Sequence, residues 1–120
     1  MVQTAARCAL AIFALWALGS VFEPHHDANR LAVASDAFEH AVMAFGLVVL
    51  GAAAFTRASL LVVAGGVLLL GAGLEVLQHL ALVGGQGDLG DAMANLVGVA
   101  IATFAVSAGE ARADEGAASK

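Results

Sequence analysis

The sequence predicts an all-α polytopic membrane protein with four transmembrane helices, and two observations carry that expectation: four unbroken apolar runs, and a shortage of charge. Hydrophobic residues make up 61% of the 120 positions and charged residues only 12%, where a soluble domain carries about 25% charged residues. A single domain of this length cannot hide so much apolar surface from water. The runs, at residues 8–22, 37–55, 58–83 and 92–108, are continuous. A membrane barrel, whose strands are segments of about 10 residues with alternating polarity, is therefore a poor alternative.

The first run is short for a hydrocarbon core that takes about 20 helical residues. It becomes long enough with Ala5 and Arg7 included, the arginine stem lying along the helix while its head reaches the lipid headgroups. A basic residue, an apolar stretch and small residues at Gly19 and Ser20 also imitate a removable signal peptide. No clear A-x-A cleavage site follows, so a retained helix is expected. The second and fourth runs fit a span directly, and the third is long enough to tilt or overhang. Glycines at 65, 66, 71 and 73 would weaken a soluble helix, whereas in a membrane they let neighbouring helices approach closely.

Lys and Arg set the orientation. With up-and-down helices Arg7, Arg57, Arg112 and Lys120 fall on one side and Arg30 alone on the other, and the segment 84–90 carries neither residue type. Both termini are therefore expected in the cytoplasm. Residues 1–108 form the transmembrane domain, and residues 109–120, small, polar and without pattern, are expected to be a disordered tail. The net charge of −5 collects in that tail and between the runs. With no basic stripe, nucleic acid is not an expected partner. Cys8, the one cysteine, excludes an intramolecular disulfide and a cysteine-based zinc site, and is expected to pack.

Polar residues inside such runs are informative because an ionisable group at the centre of a membrane helix costs about 2.5–3.5 kcal/mol on insertion scales, and so must face the bundle interior or water. Glu75, Gln78 and His79 share a face at the end of the third run. Asp36, Glu39 and His40 open the second run at i, i+3, i+4 spacing, and Asp91 and Asn95 open the fourth at i, i+4. With alternating helix direction, all three groups lie at one extracytoplasmic mouth. Asp36 and Asp91 also suit helix N-caps, and Asn95 suits interhelical hydrogen bonding. Glu39 and His79, near the interface, carry less weight. His25, His26 and Asp27 follow Pro24 in the first outer loop, where exposure is the simpler expectation than metal binding.

Asp36-x-x-x-His40 before one span, Glu75-x-x-Gln78 closing the next and Asp91-x-x-x-Asn95-x-x-Gly98 opening another together resemble the VanZ-like family of small bacterial membrane proteins, over residues 35–105. The resemblance implies a helical fold in the cell inner membrane and a site at Asp36, His40, Glu75, Gln78, Asp91 and Asn95, with Gly98 allowing close packing. It also implies a role like the founding member's, low-level resistance to the lipoglycopeptide teicoplanin and not to vancomycin. The sequence departs from the family at the loop before the fourth run, where an arginine is usual and Gly85 or Gln86 stands here.

Two functions follow as expectations. One is binding of a lipid, glycolipid or lipoglycopeptide at the polar pocket, with membrane lipid and an acylated or lipid-linked small molecule as partners; an acyl chain partitions at about 0.8 kcal/mol per buried CH₂. The other is an enzyme on a lipid-linked substrate, with His40 and a carboxylate as acid and base. No motif points to a resident cofactor, although the donors suit a divalent Zn²⁺ or Mg²⁺ that would activate water. Transport is less favoured, because polar residues at one end do not make a path across the bilayer.

Overall fold

The computed structural model describes residues 1–21, 30–83 and 88–119. The chain forms four helices: α1 (Val2–Val21), α2 (Arg30–Ala54), α3 (Leu60–His79) and α4 (Leu89–Ala118). Each is long and apolar enough to cross a membrane, which points to a multi-pass membrane protein.

The helix ends differ from the expected ones for identifiable reasons. α3 starts where Ser59 adopts an extended backbone and its side chain accepts the Val62 N–H, a standard N-cap. It stops at His79 because Ala81 turns into the left-handed region with φ 54°, and the Leu82 N–H then reaches back to the Leu77 carbonyl. That is the Schellman closure, with alanine where glycine is usual. α4 starts earlier than expected, because Asp88 caps it by accepting the Gly90 N–H at 2.9 Å. Asp91 is therefore in the first turn and is not the cap. Asp36 is not a cap either, since α2 begins at Arg30.

The tail is also corrected: α4 runs on through residues 109–118. Four alanines and two glutamates in this stretch cost little in a helix, and it extends a helix already nucleated by the apolar span. At about 1.5 Å per residue α4 outruns a hydrocarbon core of about 30 Å. The overhang contributes to overall dimensions of 56 × 26 × 21 Å.

The core is built from small side chains. Ala44 and Val48 of α2 meet Val99 and Ala102 of α4, with Ala64 of α3 against them. At Gly98 a Cβ would strike the Ala41 carbonyl, standing 2.9 Å from its carbon atom, so the α2–α4 crossing is close enough to require glycine. Gly71 lies under the Asn95 side chain and Gly46 under the Phe13 ring. Close approach thus uses Gly71 but not Gly65, Gly66 or Gly73, which face open space. α1 packs on α2, and its backbone approaches neither α3 nor α4 closely. Its start is tied to the end of α2, where Arg7 Nε donates to the Ala54 carbonyl at 3.2 Å and the Gln3 amide donates to Thr56 at 2.9 Å. Cys8 is exposed and does not pack inside the bundle.

The surface inverts the pattern of a soluble protein. Leu61 is 78% exposed and Phe104 76%, while Glu75, Gln78 and Asp91 are buried. Such an arrangement is stable where the solvent is hydrocarbon.

Candidate functional site

Three helices deliver the polar side chains to one end of the bundle. α2 runs parallel to α4 and antiparallel to α3, so the start of α2, the end of α3 and the start of α4 meet there. His40 is the hub. Its Nε2 stands 3.9 Å from Asp36 Oδ1, one turn earlier on α2, and 4.0 Å from Asp91 Oδ2 on α4. Its Nδ1 stands 3.8 Å from Glu75 Oε1 on α3. One imidazole therefore faces three carboxylates from three helices.

Burial is uneven across this cluster. Glu75 is 8% exposed and Asp91 7%, with His40 and Asp36 intermediate. Glu75 is held from its other side: Oε2 accepts the Asp88 backbone N–H at 3.0 Å. Asp88 thus links the two helices, capping α4 with its side chain while its backbone fixes the α3 carboxylate. This residue was missed as a functional position from sequence, since a loop aspartate carries no signal of which backbone N–H it will present.

Gln78, one turn beyond Glu75, is buried on the same face. Asn95 lies one turn beyond Asp91 on α4 with its amide against Gly71. His79, expected on the Glu75 face, is exposed, and so is Glu39; at 100° per residue each has rotated out of the bundle. His25, His26, Asp27, Gly85 and Gln86 lie outside the described residues.

A cavity of about 260 Å³ runs from this cluster between α1 and α3. Its body is apolar, lined by Ala14, Ala17 and Leu18 of α1, by Met43 and Leu47 of α2 and by Leu70 and Leu74 of α3, and its polar groups are His40, Glu75, Gln78 and Asn95. Because the α1 and α3 backbones stand apart, the cleft has α2 as its floor. Sequence reasoning placed the pocket on the second to fourth helices and missed the wall from α1. The only signal available was the spacing of Ala14, Ala17 and Leu18 on one face.

Chemically, the cluster offers a dense acceptor set. Among the described residues, Asp36, His40 and Asp91 present ligand atoms within 4.8 Å of one another, a spacing that suits a metal ion. Comparison with protein-family models, with curated proteins and with solved structures finds no match to this chain.

Proposed function

We propose that this protein binds an amphiphilic molecule of the membrane, its apolar tail in the cleft between α1 and α3 and its polar head at the His40 cluster. The observation that carries this reading is the cleft itself, an apolar channel that ends in His40, Glu75, Gln78 and Asn95. Its volume of about 260 Å³ falls just below the roughly 300–1,000 Å³ typical of small-molecule sites. It suits a single chain segment with part of the ligand outside.

The chemistry of the mouth narrows the head group. Asp36, Glu75 and Asp91 are acceptors when ionised, and the sequence supplies one arginine, Arg30, at this end of the bundle. Sugar hydroxyls and amines donate hydrogen bonds to such a site, whereas a bare phosphate is repelled by it. A glycolipid or lipoglycopeptide fits better than a simple anionic lipid. The resemblance to the VanZ-like family, which rests on residue order and spacing alone, points the same way, as does placing the mouth outside a bacterial inner membrane with both termini in the cytoplasm.

This version is tested in a susceptible Gram-positive host expressing the protein or its Glu75→Gln variant at equal membrane abundance. The expected result is a raised inhibitory concentration for teicoplanin but not vancomycin, lost in the variant. No protection from a correctly inserted wild type contradicts the lipoglycopeptide assignment. A second reading, a metal-assisted hydrolase on a lipid-linked substrate, draws on the Asp36, His40 and Asp91 grouping. It alone requires a cleaved product.

A further inference from the structure

We propose that Asp36, His40 and Asp91 form a binding site for one divalent transition-metal ion, with Glu75 as the group that orients the histidine. The inference goes beyond the amphiphile reading and does not depend on it, and the head-group argument made there holds for the metal-free mouth.

The distances around His40 are the first support. An N–H···O hydrogen bond spans about 2.7–3.2 Å, and Nε2 stands 3.9 and 4.0 Å from its two aspartate oxygens. Zn²⁺ takes nitrogen and oxygen ligands at about 2.0–2.2 Å in a tetrahedral shell, which sets any two donors about 3.3–3.6 Å apart. The two gaps are too wide for direct hydrogen bonds and a few tenths of an ångström wider than that spacing, and the ligand atoms of all three residues lie within 4.8 Å of one another. Both oxygens approach the same nitrogen, from α2 and from α4.

Asp91 supplies the second, independent observation. It is 7% exposed, and among the described residues its carboxylate accepts no hydrogen bond, its one charged partner being His40 at 4.0 Å. Asp36 and Glu75 face the same imidazole, so three carboxylates share one group that can carry positive charge, an unbalanced arrangement at this depth. A divalent ion at Nε2 balances it.

The outer arrangement matches what metal-bound histidines require. A ligating imidazole donates its remaining N–H to a carboxylate or carbonyl, which fixes tautomer and ring plane. Here Glu75 Oε1 is the carboxylate on the Nδ1 side, at 3.8 Å, longer than a hydrogen bond, and Glu75 is itself anchored by the Asp88 N–H. Three protein donors leave a coordination position open, the pattern of sites that bind water or ligand. With a neutral imidazole, the carboxylates of Asp36, Asp91 and Glu75 are largely balanced by a +2 ion.

The test uses the full chain, purified in detergent, stripped with chelator and titrated with Zn²⁺ against a fluorescent competitor, and with Co²⁺ followed by visible absorption. The expected result is one ion per chain, with Co²⁺ bands of a nitrogen–oxygen site. Affinity should fall at least about 100-fold in His40→Ala and Asp91→Asn, and about 10- to 100-fold in Glu75→Gln, the range for an orienting group. Asp36→Asn, at a less buried position, is a second ligand variant where Asp91→Asn does not fold. The double variant His25→Ala/His26→Ala should bind as wild type does. A helical wild-type protein that takes up neither ion overturns the proposal, and so does binding that is lost with His25 and His26 but kept in His40→Ala.

Discussion

Gly98 and Gly65 are chemically identical residues on neighbouring helices with opposite structural roles. A Cβ at Gly98 meets the Ala41 backbone, which cannot yield, whereas a Cβ at Gly65 meets nothing within 4 Å. Gly98→Ala should therefore lower stability by about 1–3 kcal/mol, the usual cost of overpacking a close contact. Gly65→Ala should be neutral or stabilising by up to about 1 kcal/mol, since alanine is the better helix former. Thermal unfolding of the two variants in the same detergent checks the pair, and equal effects would contradict the placement of Gly98 at the α2–α4 crossing. The inward residues at the mouth were legible from spacing, because i, i+3 and i+4 positions share a face. Which neighbours point away was not: Glu39 and His79 are exposed, and a face defined by three residues has edges that only packing resolves.

Helix ends were less legible than helix interiors. The four runs located the four helices because apolar continuity over a span has no other stable form in lipid. The cap of α4 was assigned to the wrong aspartate, because Asp88 and Asp91 are equally good caps and only the backbone decides between them. The helical extension through residues 109–118 was hidden by polarity: composition that looks unstructured in isolation propagates when a long helix feeds into it. The turn after α3 yields a prediction. Ala81 holds φ 54°, a conformation that costs an L-residue with a Cβ about 1–2 kcal/mol. Ala81→Gly should raise the unfolding temperature by relieving this, offset partly by the greater freedom of glycine in the unfolded chain. A lowered unfolding temperature would mean that the Ala81 methyl makes contacts worth more than the strain.

At the scale of the molecule, the arrangement is a tightly crossed pair, α2 and α4, with α3 against both and α1 against α2 alone. Leaving α1 and α3 apart opens the cleft, and the polar cluster closes one end of it. None of the separation between α1 and α3 could be read from sequence, since a span that packs on one neighbour and a span that packs on three have the same hydropathy. The apolar surface of the cleft also resembles the lipid-facing exterior in composition, and only geometry distinguishes a binding wall from a solvated one. The central claim, that this cleft holds the tail of an amphiphile, is tested most directly by photo-crosslinking the full protein in liposomes that contain a diazirine-bearing acyl lipid and mapping the labelled residues. The account predicts labelling of the cleft residues Met43, Leu47 and Leu74 above the level at the outward-facing Leu61 and Phe104, and its loss from the cleft when Ala17→Trp fills it. Labelling spread evenly over all lipid-facing residues, unchanged by Ala17→Trp, would contradict it.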